Sequence, residues 1–333
     1  DLLGPESATP EALGLDGGIA ALEAQADGTI WLLGEGGNLV RVPPSDVAEV
    51  LDWKAVYNGL VGGLAVTPDG HAWLMGKPEV GRYPAEVFLH FDGDDWEVVP
   101  VPTESLPGPL WAGPLEGNQM FDVGPDGTLW ADLVYRQDGG GDPRHRSLAR
   151  HDGSGWTIFG EADGVRPWDA GMWPYNMDRE MRAAPDGSVW VIASASDEGP
   201  CTGLGRFDGE SWTSFMPDMC IASYDVASDG AVWVVAGDRD GPQSLTIETY
   251  VISPEAVEAT MAVATEQPAA AVTESPSPMT TEELLAGMVT EEVEPGVYRV
   301  INDGVRELSS EDNWDVIVGQ DGSIWLQRAE GFP

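Results

Sequence analysis

Asp27-Gly28-Thr29-Ile30-Trp31 is the stretch whose reading decides the fold, because it returns five times. The copies are Asp69-Gly70-His71-Ala72-Trp73, Asp126-Gly127-Thr128-Leu129-Trp130, Asp186-Gly187-Ser188-Val189-Trp190, Asp229-Gly230-Ala231-Val232-Trp233 and Asp321-Gly322-Ser323-Ile324-Trp325. Asp-Gly between two β-prone runs signals a hairpin, since Gly takes the positive φ that the turn requires and Asp tolerates it. Each copy therefore joins an inner strand to a second strand and places Trp at one fixed position on the latter. A buried Trp covers about 150–250 Å². At roughly 25 cal/mol/Å² this is about 4–6 kcal/mol per Trp as an upper estimate. Six such residues read as one core position repeated six times.

A second phrase interleaves with the first: Phe91-Asp92-Gly93-Asp94-Asp95-Trp96, His151-Asp152-Gly153-Ser154-Gly155-Trp156 and Phe207-Asp208-Gly209-Glu210-Ser211-Trp212, with Asn302-Asp303-Gly304-Val305 as a weaker fourth. Two hairpins per unit make a four-stranded antiparallel sheet. Intervals of 42 (27 to 69), 57 (69 to 126), 60 (126 to 186) and 43 (186 to 229) residues suit propeller blades. The interval of 92 from 229 to 321 must hold an insertion. The predicted architecture is all-β: a six-bladed β-propeller over 18–333, preceded by an irregular arm at 1–17. A low-complexity insertion at 254–294 falls in blade 5, where Leu245–Ile252 and Val297–Ile301 compete as third strand. Only two strands can be read for the sixth blade, so it is expected to be incomplete, or the chain to be a piece of a longer one.

The Asp-Gly-x-(Ile/Leu/Val)-Trp phrase resembles bacterial propeller repeats of the two-component-regulator type, and it is also similar to the repeats of streptogramin lyases. The resemblance implies a sensor propeller outside the cytoplasm. Only Leu33-Gly34-Glu35-Gly36-Gly37-Asn38-Leu39 approaches the Gly-rich continuation that sensor repeats show after Trp. No histidine stands where a catalytic residue of the lyases can be carried over.

A net charge of −41, from 57 acidic and 16 basic residues, argues against nucleic acid and anionic membrane as partners. It fits a solvated acidic surface, high salt or attraction of a cation. No apolar run is long enough to span a bilayer.

In a propeller the Asp-Gly hairpins share one face, while the second-to-third loops and the links between blades share the other. That second face carries the long stretches, and function concentrates on long loops held by a rigid scaffold. The link from Glu161 to Glu180 contains Arg166, Trp168, Asp169, Trp173 and Tyr175, and Trp111 lies in the preceding link. These aromatics either line a site for a sugar, a peptide or a cationic group, or fill gaps between blades. Asp122, Arg182 and Asp225 lie on innermost strands and face either a polar ligand or channel water. Arg144, His145, Arg146 and Arg150 form the one basic cluster, which either grips an anion or pairs locally.

The four histidines, His71, His90, His145 and His151, show no metal-ligand spacing, and His71 and His151 read as structural. No catalytic residue is named. Asp238-Arg239-Asp240-Gly241 is similar to the start of a calcium loop without its downstream ligands, so a Ca or other divalent cation is the one cofactor left open. The only cysteines, Cys201 and Cys220, are expected to form a disulfide on the long-loop face, which implies a periplasmic or secreted protein. The leading functional reading is a non-catalytic propeller that binds a small molecule, glycan or protein. The alternative is a propeller lyase or hydrolase with a carboxylate-held metal at the channel mouth.

Overall fold

The computed structural model describes most of residues 15–254, interrupted at 78–86, 107–120, 137–143, 166–180, 193–202, 240–244 and a few isolated positions, and then the strands within 289–329. The chain divides into two compact units, Asp1–Ala183 and Ala184–Pro333. Blade 1 comprises β1 (Ile19–Ala24), β2 (Ile30–Gly34), β3 (Leu39–Val42) and β4 (Glu49–Leu51). Blade 2 comprises β5 (Leu60–Val66), β6 (Ala72–Lys77), β7 (Val87–Phe91) and β8 (Trp96–Pro100). Blade 3 comprises β9 (Phe121–Val123), β10 (Leu129–Arg136), β11 (Arg144–His151) and β12 (Trp156–Phe159). Blade 4 comprises β13 (Met181–Ala183), β14 (Val189–Ile192), β15 (Leu204–Phe207) and β16 (Trp212–Phe215). Each is an antiparallel meander in chain order. Blade 5 is built on β17 (Cys220–Val226), β18 (Val232–Arg239) and β19 (Leu245–Ile252), followed by a hairpin of β20 (Val289–Glu294) and β21 (Val297–Ile301) in the order β17-β18-β19-β21-β20.

The fold is a β-propeller with five blades, not the six expected from the phrase count. The sixth phrase lies between β22 (Asn313–Val318) and β23 (Ile324–Ala329), which pair with each other as a separate two-stranded sheet. One Asp-Gly hairpin guarantees two strands, and a blade needs four. Where the sequence left two candidates for the third strand of blade 5, Leu245–Ile252 takes that place and Val297–Ile301 lies beside it.

The repeated turn has one hydrogen-bond pattern in all five blades. In the first, Gln25 N donates to Thr29 O and Gly28 N donates to Gln25 O; residues 67–71, 124–128, 184–188 and 227–231 repeat it. This is a three-residue loop whose last member, Gly28, Gly70, Gly127, Gly187 or Gly230, has φ between 80° and 88°. Asp does not share the left-handed conformation, since Met216 is the only non-glycine with positive φ among the described residues. Its carboxylate instead accepts the backbone N–H two residues on, as Asp27 does from Thr29 at 2.8 Å and Asp186 from Ser188 at 2.9 Å. The second phrase makes two-residue turns with Gly first: Asp92, Asp152 and Asp208 donate their backbone N–H to Asp95, Gly155 and Ser211.

Trp31, Trp73, Trp130, Trp190 and Trp233 are all buried, with at most 3% of their surface exposed. The side chain of Trp325 lies outside the described residues. Trp31 packs with Leu64, Leu74, Leu89 and Phe91 of the next blade, and Trp73 with Phe121, Leu129 and Ala149 of the blade after it. In the second unit Trp190 packs with Tyr224, Val234 and Tyr250. The phrase therefore supplies a turn and the apolar layer that binds one blade to its successor.

Within the first unit the innermost strands stand side by side, β1 by β5, β5 by β9 and β9 by β13. Bulges interrupt β1, β5 and β17, at the same register relative to the core Trp in β1 and β17 and one residue closer to it in β5. In β5 the bulge carries Gly63, whose φ is +71°; an added Cβ there would stand 2.6 Å from the Phe121 ring.

Candidate functional site

Of the residues singled out in the sequence, Asp122, Arg182 and Asp225 fall on described innermost strands. Asp122 stands opposite Trp130, and Asp225 opposite Trp233, in the same register. The Asp122 carboxylate accepts from Val123 N and Ala183 N, both at 2.8 Å, and so ties β9 to β13. Asp225 accepts from Val226 N at 2.9 Å, and an Arg182 guanidinium N–H donates to Met181 O at 3.1 Å. Asp122 thus does structural work between blades. Trp111, Arg166, Trp168, Trp173 and Tyr175 lie outside the described residues, as does Cys201; Cys220 opens β17, and its side chain is likewise outside them.

A second set of positions went unread in the sequence. In blades 1 to 4 a residue of the third strand stands opposite the core Trp, and in blades 2 to 4 it lies two places before the Asp of the second phrase. It is Arg41 in blade 1, His90 in blade 2, Arg150 in blade 3 and Arg206 in blade 4. The Arg41 guanidinium lies 5.6 Å from the Trp31 ring and pairs with Glu49 at 2.6 Å. Arg150 lies 5.7 Å from Trp130 and 5.6 Å from Phe159. The slot favours a cation against an aromatic face. The basic cluster is therefore strand, not loop, and Arg150 is committed to its own blade's core Trp.

Arg206 is buried and meets Asp186 at 2.6 Å, with Asp208 at 3.9 Å. Burial alone would raise the Asp186 pKa, but the hydrogen bonds from Ser188 and the charge of Arg206 outweigh it and hold it below 3.8. A carboxyl depressed in the folded state contributes stability that is full above the unfolded pKa and lost as pH falls through the folded one. Asp186→Asn should therefore lower the urea-unfolding free energy by about 2 kcal/mol at neutral pH and make the loss of stability below about pH 4 shallower. The expected cost is below that of a fully buried pair, because the Asp186 side chain is 47% exposed and Asp208 remains. An unchanged urea midpoint at both pH values would show that Arg206 does not depend on this partner.

The remaining cluster is in blade 2, at the seam with blade 3. His71 follows the turn glycine and His90 sits in the slot opposite Trp73. Nδ1 of His71 lies 3.2 Å from Nε2 of His90. The His90 ring stacks on Trp73 at 4.2 Å with an interplanar angle of 16°. On the other side of His71, Nε2 stands 3.7 Å from an Asp69 oxygen, and the Thr67 hydroxyl donates to that carboxylate. His151 reaches the same seam from β11, 6.0 Å from Trp73 and 5.0 Å from Trp156, with its Nδ1 accepting from Gly153 N at 3.3 Å.

Burial first, then the charge on His71, lowers the pKa of His90 against the opposing pull of Glu97 and Asp92. Burial also lowers that of His151. Among the described residues no group of three or more His, Cys, Asp or Glu converges as a metal cage. Three of the four histidines come together here although 19 and 61 residues separate them (71 to 90, 90 to 151). Their offsets from Asp-Gly were readable; their meeting depends on how two blades stack.

No protein-family model matches the chain, and no curated protein matches it. Solved structures do resemble it. One is YCF48 bound to D1 peptide, at 12% identity and a TM-score of 0.40 over 72% of this chain and 65% of that one. Another is the β-propeller domain of the trilobed protease from Pyrococcus furiosus, at 16% identity and a TM-score of 0.42, covering 70% of this chain and 66% of that one. The polysaccharide lyase Uly1 is similar at 10% identity and a TM-score of 0.34, over 70% and 69% of the two chains.

Proposed function

We propose that the chain is a non-catalytic binding propeller, a sensor or interaction module of the kind its repeats resemble, and that it works outside the cytoplasm. One observation carries the reading. In blades 2, 3 and 4, two- and three-residue turns close one end, and in blade 1 a three-residue turn and the loop from Val42 to Glu49 do so. The long connections leave from the other end: Lys77 to Val87, Pro100 to Phe121, Phe159 to Met181 and Ile192 to Leu204. The aromatic residues Trp111, Trp168, Trp173 and Tyr175 belong in sequence to these connections. A rigid scaffold from one end of which long, aromatic-containing connections leave suits a small molecule, a glycan or a protein segment. The acidic charge disfavours nucleic acid, and no helix among the described residues is long and apolar enough to cross a membrane. The location rests on the expected Cys201–Cys220 bridge, to which the structure adds that Gly203 N donates to Met219 O at 3.2 Å.

Glycan and peptide arrays probed with the wild type and with a Trp168→Ala/Trp173→Ala/Tyr175→Ala variant test the binding end. The expected result is a discrete ligand class whose signal falls at least about tenfold in the variant, with an unchanged circular dichroism spectrum. Chemical conversion of any bound glycan, or binding that ignores the three substitutions, would overturn the reading. Two alkylatable thiols in the unreduced, unfolded chain would remove the argument for the location.

A further inference from the structure

We infer that His71 and His90 form a two-imidazole site for a borderline divalent transition-metal ion such as Cu2+ or Zn2+, on the tight-turn end of blade 2. Neither a histidine spacing in the sequence nor a three-ligand cage marks this site. It rests on the placement of two ring nitrogens. Two imidazoles bound to one ion at about 2.0–2.1 Å with a tetrahedral angle bring their nitrogens to about 3.3 Å. Nδ1 of His71 and Nε2 of His90 stand 3.2 Å apart, and their rings are inclined at 43°.

The surroundings prepare both ligands. Without an ion the two facing nitrogens share a hydrogen bond; with the Asp69 carboxylate 3.7 Å from Nε2 of His71, a proton carried on that side would leave the Nδ1 lone pair to bind the ion. The Thr67 hydroxyl in turn holds Asp69. Stacking on Trp73 fixes the His90 ring. Glu97, on the strand opposite His90, and Asp92 supply negative charge that favours a bound cation. The His71 side chain is 35% exposed, so an ion has access from solvent, and water completes the coordination.

Comparison among the blades sharpens the point. The position of His71 holds Thr29, Thr128, Ser188 and Ala231 in the other blades, and that of His90 holds Arg41, Arg150, Arg206 and Val251. Blades 2 and 5 both depart at the two positions, blade 5 to Ala231 and Val251, and blade 2 alone of the five holds histidine at both. Simple filling of the slot would call for the Arg that three other blades use.

The test is calorimetric titration of the full chain with Cu2+, the strongest binder in the divalent series. Excess Mg2+ should be present to occupy the many carboxylates, which suit hard ions. One Cu2+ per chain is expected. His71→Gln and His90→Gln should each weaken it more than about tenfold, and Asp69→Asn about tenfold through loss of the orienting carboxylate. His145→Gln should leave it unchanged. Electron paramagnetic resonance of the Cu2+-loaded wild type should show nitrogen ligands, and this readout needs no variant to fold. A spectrum with oxygen ligands alone, an affinity indifferent to both histidine variants, or one that depends on His145 would overturn the assignment.

Discussion

Trp190→Ala should destabilise the second unit by about 3–5 kcal/mol, whereas Trp212→Ala in the same blade should cost about half as much or less. The two residues are both tryptophans placed by Asp-Gly turns, but they differ in what they bury. Trp190 is 1% exposed and belongs to the apolar layer formed with Leu204, Phe215, Tyr224, Val234 and Tyr250. Its ring lies 4.9 Å from that of Phe215. Removing it leaves a hole between rigid strands, and strands tied by ladder hydrogen bonds on both sides collapse poorly into such a void. Trp212 lies over Gly205 at the part-exposed outer edge, where solvent can fill the space that it leaves. Urea unfolding of the two variants followed by far-ultraviolet circular dichroism checks the ordering. Equal costs, or a cost below about 1 kcal/mol for Trp190, would mean that the first phrase is only a turn signal and not the source of the inter-blade core.

That ordering bears on what was legible. Turn chemistry is local, so the hairpins at Asp27, Asp69, Asp126, Asp186 and Asp229 could be read one at a time and joined by their common offset to Trp. Strand count was not local. Only two strands could be read near Asp321, yet they were counted as a sixth, incomplete blade; among the described residues β22 and β23 pair with each other as a separate sheet, so the number of blades was overestimated by one. The residues thought to face a channel show a related limit. Asp122 looks like an unpaired acid in its own strand, yet the N–H that its carboxylate binds belongs to Ala183, 61 residues further on. His71 and His90 were visible at repeat positions, but their nearness follows from the diagonal placement of the turn and the third strand. Comparing equivalent positions across blades would have exposed the pair, because Thr or Ser and then Arg is what the slots otherwise hold in blades 1, 3 and 4.

Gly203→Ala should cost about 3 kcal/mol or more, and the cost should not be relieved by trimming any neighbouring side chain. Gly203 has φ +70°, a conformation that a residue with a Cβ adopts at a penalty of about 1–2 kcal/mol. A Cβ there would also stand 2.2 Å from Met216 O and 2.3 Å from Phe215 O, which are backbone atoms and cannot rotate away. The pressure on this point comes from Met216 itself, the one described non-glycine residue with positive φ, at 49°. Met216 accepts a hydrogen bond from Met219 N, and Met219 O accepts from Gly203 N, so the chain leaving β16 folds back across the start of β15. Burial of the Met216 side chain in the layer around Trp190 and Tyr224 offsets its strained backbone. A methyl at 203 would push this return loop away and break both hydrogen bonds at the approach to β17. Fluorescence-detected thermal unfolding of Gly203→Ala and of Gly155→Ala provides the comparison, since nothing lies within 4 Å of a Cβ at Gly155 and its φ is not in the left-handed region. If the two variants melt together, the close packing of Gly203 against the Met216 turn does not hold this junction.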